Sequence, residues 1–156
     1  MMKRKFYILL ESFIMMTTFM LSSCNKHVVY NKYNHTPITG WEKNDTLKFD
    51  IPIAEGGFYK QDLGLRINGA YPFMSLCLIV EQTIYPSNKT IVDTLNCSLI
   101  NKDGYAKGNG ISYYQYNFNI SHIELHKGDS IHVCIRHNMK REILPGISDV
   151  GFSLGR

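Results

Sequence analysis

Beyond residue 27 polar and apolar residues alternate with period two, the signature of strands with one buried face. Leu47, Phe49, Ile51 and Ile53 share a face, with Lys48 and Asp50 opposite. Leu63, Leu65 and Ile67 repeat the pattern with Arg66 opposite. Ser75–Tyr85 is apolar on both faces in its first half, as a central strand requires. Further faces are Ile91/Leu95/Cys97/Leu99, Tyr114/Tyr116/Phe118/Ile120, Ile131/Val133/Ile135 and Val150/Phe152/Leu154, and Val28–Tyr33 reads as an opening strand. Turn chemistry separates these runs: Gly56-Gly57, Asn68-Gly69, Tyr85-Pro86-Ser87-Asn88, Asp103-Gly104, Lys127-Gly128-Asp129 and Pro145-Gly146. Ser121–Lys127 is read as a short helical turn, too short to stand alone. The pattern predicts an all-β fold, an antiparallel β-sandwich of jelly-roll type with about eight strands over residues 28–156.

The first residues follow another rule. Met1–Lys5 is basic, Phe6–Met20 is an apolar run broken by Glu11, and Leu21-Ser22-Ser23-Cys24 follows. A basic head, a short apolar stretch and small residues at its end are the parts of a secretory signal. The apolar stretch is shorter than the roughly 20 residues a spanning helix needs. Leu-Ser-Ser-Cys resembles a bacterial lipobox, in which the chain is cut before the cysteine and that cysteine is acylated. Residues 1–23 are therefore read as a lipoprotein signal peptide, Cys24 as the lipidation site, and residues 24–27 as a tether. An ordinary signal peptide holding a cysteine, or an uncleaved anchor, is the competing reading. Asn25-Lys26 follows the cysteine with no acidic run, so the domain is expected to face the periplasm, on the outer rather than the inner membrane.

The 156 residues are 44% hydrophobic and 19% charged, which suits one globular domain and excludes wholesale disorder. The net charge of +4 includes Lys3, Arg4, Lys5 and Glu11 of the leader, which leaves +2 for residues 24–156. No basic patch remains to argue for nucleic acid. Of four cysteines, Cys24 belongs to the anchor; Cys77, Cys97 and Cys134 cannot all pair internally, and each sits in a strand-like run. Buried thiols and one disulfide with a leftover thiol both remain open.

Reactive chemistry is sparse. His122 and His126 lie four apart, but Glu124 is not placed as in a zinc-protease helix, so a solvated turn is the simpler reading. His132 and His137 fall on opposite faces of a strand. No nucleophile elbow or phosphate loop occurs, and no carboxylate pair is set by local spacing. The expectation is a non-enzyme with no catalytic residues, no metal and no cofactor. The aromatic surplus is more telling. Ten Tyr and one Trp exceed what a small core needs. Tyr113, Trp41 and Arg66 are candidates for an interaction surface, since aromatics and Arg are enriched where partners bind and aromatics also stack on sugars. Core filling for Trp41 and a surface ion pair for Arg66 are the competing readings. Asp45-Thr46-Leu47, Asp93-Thr94-Leu95 and Asp129-Ser130-Ile131 share the pattern Asp, Thr or Ser, aliphatic. It resembles an O-glycan acceptor motif of exported Bacteroidota proteins, making Thr46, Thr94 and Ser130 candidate acceptors at turn-to-strand junctions. Strand starts capped by Asp and Thr or Ser explain the pattern equally well.

These residues also line up with a family. The lipobox is followed by Gly40-Trp41, Asp45–Phe49, Arg66-Ile67, Tyr71-Pro72-Phe73 and Asp93-Thr94. Asp103-Gly104-Tyr105-Ala106-Lys107-Gly108-Asn109-Gly110, His137-Asn138-Met139 and Leu144-Pro145-Gly146-Ile147-Ser148-Asp149-Val150-Gly151 complete the order. Taken together they resemble the gliding-motility lipoprotein family GldH of Bacteroidota, over nearly the whole mature chain. The resemblance implies a membrane-anchored envelope lipoprotein, an accessory of the gliding and type IX secretion machinery that partners other envelope proteins, with no catalytic residue to transfer. A carbohydrate-binding jelly-roll lipoprotein using exposed Tyr and Trp41 is the alternative.

Overall fold

The computed structural model describes residues 28–156, so Cys24 and its leader lie outside the described residues. Ten strands are found among them: β1 (Val28–His35), β2 (Trp41–Glu42), β3 (Leu47–Pro52), β4 (Gly57–Asn68), β5 (Ser75–Tyr85), β6 (Lys89–Ser98), β7 (Tyr113–Leu125), β8 (Ser130–His137), β9 (Ile143–Leu144) and β10 (Ile147–Gly155). Eight form two antiparallel four-stranded sheets, β1-β10-β4-β7 and β3-β8-β5-β6, while β2 and β9 form a two-stranded ribbon. Counting the eight long strands alone, the orders are 1-8-3-6 and 2-7-4-5, the double Greek key of a jelly roll. The ribbon is the addition to the expected eight, and is too short to show as alternation.

The core lies between the sheets. Leu63, Leu65, Val150, Phe152 and Leu154 of the first sheet meet Phe49, Leu76, Leu78, Val80, Val133 and Ile135 of the second, all buried. The Phe49 and Phe152 rings approach to 6.1 Å between centroids across the gap.

The expected helix at Ser121–Lys127 is instead the end of β7. A bulge opposite Gln61/Asp62 leaves Ile120 unpaired, so Gln61 faces Ser121 and Asp62 faces Asn119. One extra residue shifts the side-chain phase. Before the bulge Tyr116 is buried; after it Ile123 and Leu125 are, with His122 and Glu124 exposed. Read without the shift, this segment loses its period. His122 thus points outward from a strand and His126 lies in the following turn, so they share no helix face.

Polar groups also cross the core. Gln61 on β4 and Gln82 on β5 are fully buried and exchange amide hydrogen bonds, Gln61 Nε2 to Gln82 Oε1 at 2.5 Å and Gln82 Nε2 to Gln61 Oε1 at 3.2 Å. Ser121 Oγ donates to Gln61 Oε1, and Gln82 Nε2 donates to Asp93 Oδ2. Removing one partner strands the other without water. Gln61→Leu or Gln82→Leu alone is expected to cost about 1–3 kcal/mol, and the double variant less than the sum of the two. Urea denaturation checks this; additive single costs would show that the pair is not coupled.

Candidate functional site

The outward face of β1-β10-β4-β7 carries three cross-strand ranks. The first is Asn31, Ser153, Asp62 and Asn119; the second Tyr33, Gly151, Gly64 and Asn117; the third His35, Asp149, Arg66 and Gln115. None of these twelve residues is aliphatic. Gly151 and Gly64 pair directly on the two central strands. A Cβ on Gly64 would come within 2.2 Å of the Tyr33 hydroxyl, and one on Gly151 within 2.6 Å of its ring. The glycines are therefore required by close approach: they let Tyr33 lie flat across the sheet. Above that ring the Arg66 guanidinium stacks with Cζ 4.4 Å from the centroid.

Hydrogen bonds hold the ranks in place. Gln115 Nε2 donates to the Tyr33 hydroxyl at 2.7 Å, and Arg66 Nε donates to Gln115 Oε1 at 2.9 Å. Asn119 Nδ2 donates to Asp62 Oδ1, which also pairs through its other oxygen with Lys60 at 2.8 Å. Asp149, buried, sits beside His35, and Arg66 Nη1 lies 3.9 Å from its other oxygen. Side chains of the outer ranks wall a groove of about 640 Å³ over the glycine row. Arg66 lines this groove from the third rank, over Tyr33 and facing Asp149.

The other sequence candidates scatter. Trp41 is fully buried and presents nothing to a partner, a correction to its place in a surface; it is a core residue. Its Nε1–H donates to the Asp45 carbonyl at 3.0 Å, and its ring meets His137 edge-on with centroids 5.3 Å apart. His137, also buried, donates from Nε2 to the Trp41 carbonyl and accepts the Met139 N–H at Nδ1. Both ring nitrogens are used by the neutral form, and burial pushes the imidazole pKa down. Tyr113 is exposed, at the sandwich end, where it shares a pocket of about 360 Å³ with Ile38, His35, Asn68 and Gly146. Thr46 precedes β3 and Ser130 opens β8, both half-buried. Thr94 is exposed but sits inside β6 opposite Ile79, not at a turn, because β6 starts earlier, at Lys89.

The three described cysteines are free thiols. Cys97 faces the core, where burial pushes its pKa up to about 12. Cys134 lies outward on β8 with its Sγ 3.3 Å from His132 Nε2, while His132 Nδ1 pairs with Asp50 of β3. Sequence reading missed this Asp50–His132–Cys134 chain because 82 positions separate Asp50 from His132. The β3–β8 register alone makes them neighbours. Burial raises the Cys134 pKa, with the Lys48 ammonium acting against it. β8 is paired on both sides, by β3 and β5, so its backbone N–H groups are committed to the ladder rather than available to an oxyanion.

Fold and site define a single jelly-roll domain with a polar groove on the outer face of one sheet. Residues 28–154 match the family model described as GldH lipoprotein. The chain is 32% identical over 155 residues to the gliding motility lipoprotein GldH of Flavobacterium johnsoniae, covering 90% of this chain and 92% of that one. It is 31% identical over 153 residues to a GldH homolog of Christiangramia forsetii, covering 88% and 90%. The chain belongs to the GldH lipoprotein family. Among solved structures it is similar to a family 35 carbohydrate-binding module from an environmental isolate (TM-score 0.40, 13% identity, 85% of this chain and 88% of that one). It is also similar to a family GH115 glucuronidase (TM-score 0.47, 12% identity, 84% and 18%).

Proposed function

We propose that this protein is a non-enzymatic, lipid-anchored accessory of gliding-motility and secretion machinery, held by Cys24 and facing the periplasm from the outer membrane. The observation that carries the reading is the family match across the whole described domain, residues 28–154. The residue order from Gly40-Trp41 to Gly151 and the lipobox support it from the sequence side. The committed N–H groups around Cys134 support a binding rather than a catalytic role.

The topology adds an orientation. β1 starts at Val28, which pairs with Gly155 at one end of the sandwich, and ends at His35 at the other. The four residues 24–27 span at most about 14 Å, so the Val28 end lies near the bilayer. Strands of eight or more residues carry the opposite loops roughly 25–40 Å further out. Those loops hold the exposed Ile38, Met74, Tyr105 and Ile111 together with Tyr113. Apolar side chains presented away from the membrane suit a protein partner. Tyr113 is the residue of this end that we assign to the interaction surface, while Arg66 is kept for the sheet face.

The test is replacement in a relative. Expressed in a Flavobacterium johnsoniae strain lacking its own GldH, the chain is expected to restore colony spreading, and a Tyr113→Asp/Ile38→Asp variant to restore it less while remaining in the membrane fraction. No restoration by a correctly localised chain would count against the reading.

A further inference from the structure

We propose that the groove on the outer face of β1-β10-β4-β7 binds a neutral oligosaccharide, a chain of about three sugar rings laid across strands spaced about 4.8 Å apart. Four features of the groove lead there.

The first is its shape. Paired glycines on adjacent central strands weaken a sheet and mark a place of close approach. Here the close approach is that of the Tyr33 ring, which lies over both glycines with the Arg66 guanidinium on it, and the side chains of Asn31, Asn117 and Asn119 stand around them. The second is composition. The outward ranks hold no aliphatic side chain, whereas the opposite sheet mixes Ile79 and Val92 among its outward positions. A peptide would find no apolar pocket for its side chains. Nor would it find free backbone in the floor, since β10 and β4 are paired on both sides.

The third is charge. Lys60 pairs with Asp62 and Arg66 faces Asp149, so each cation is matched within the groove. An anionic ligand gains little from such a field. The fourth is hydrogen-bonding type. Asn31 and Asn117 carry both donors and an acceptor, and Asn119 keeps its Oδ1 while its Nδ2 is spent on Gln61 and Asp62, which suits hydroxyl groups that are themselves both donor and acceptor. The guanidinium plane of Arg66, braced from below by Tyr33, supplies a flat surface for a sugar ring. Hydrogen bonds among Arg66, Gln115 and Tyr33 fix these groups before any ligand arrives, which reduces the ordering cost of binding.

The proposal is independent of the motility reading, which rests on family membership and the distal loops. The test uses the full-length protein in mild detergent on an array of neutral hexose, pentose and N-acetylhexosamine oligomers, with heparin, polygalacturonate and a peptide set alongside. Retention of a neutral oligomer is expected, with titration calorimetry giving its Kd. Asn117→Ala and Arg66→Ala are each expected to weaken that Kd by about tenfold or more. Glu81→Ala, on the opposite sheet, is expected to leave it unchanged, and near-UV circular dichroism confirms that the variants are folded. The proposal is overturned if no neutral oligomer is retained, if only the anionic or peptide probes are, or if folded Asn117→Ala and Arg66→Ala bind like the parent.

Discussion

Cys24→Ala is expected to move the protein out of the membrane fraction and to abolish its labelling by palmitate. Among the described residues no helix is long and apolar enough to cross a membrane. On the proposed reading Cys24 carries acyl chains, each buried methylene contributing about 0.8 kcal/mol. A single chain binds only reversibly, and the several chains of a bacterial lipoprotein bind firmly. Losing the cysteine removes all of them together, so the effect is close to all-or-none. Fractionation and labelling of the variant in its host provide the measurement. Palmitate incorporation that persists in Cys24→Ala would falsify the anchor, and persistent membrane association without label would place attachment in the uncleaved leader instead.

Trp41→Ala is expected to destabilise the fold by about 3–5 kcal/mol, the range for truncating a buried aromatic to alanine. Trp41 is fully buried in the short β2 ribbon, paired with Leu144 of β9 and wedged against His137. Truncation opens a cavity beside the buried imidazole and leaves the Asp45 carbonyl without its indole donor. Native stability is only about 5–15 kcal/mol, so the melting temperature should fall by roughly 10–20 °C. Trp41→Phe keeps the aromatic contact but loses the donor, and is expected to cost clearly less. Thermal unfolding followed by circular dichroism distinguishes the cases. A Trp41→Ala protein melting within a degree or two of the parent would restore the tryptophan to the surface.

The sandwich was legible because burial on one face imposes period two, and each run from Leu47 to Leu154 stated its phase locally. Where the phase slipped, legibility stopped. The unpaired Ile120 turned a strand ending into an apparent helix, and nothing local in Asn119-Ile120-Ser121 announces a bulge. The buried glutamine pair was illegible for a related reason. Gln61 and Gln82 share the strand parity of the inward Leu63 and Val80, but which polar group meets each is set only by the facing sheet. Arg66 could be singled out by its place on the polar side of a strand. The groove around it could not, because Tyr33, Gly151, Gly64 and Asn117 come from four separate strands.

By itself the sequence determined what depends on neighbours along the chain: the strand alternation, the turn residues, and the residue order shared with the GldH family; it also raised the expectation of a leader ending in a lipobox. Local chemistry suffices there, since a signal segment is read as linear sequence and a strand's two faces follow from its own pleat. Tertiary structure decided what depends on register. It put Trp41 inside, paired Asp50 with His132 beside Cys134, and brought the Gly64–Gly151 row beneath Tyr33. Residues opposite one another on neighbouring strands lie about 5 Å apart, however far apart they are in sequence. The pairing partner, and with it the shape of the sheet face, is set only when the two Greek keys close.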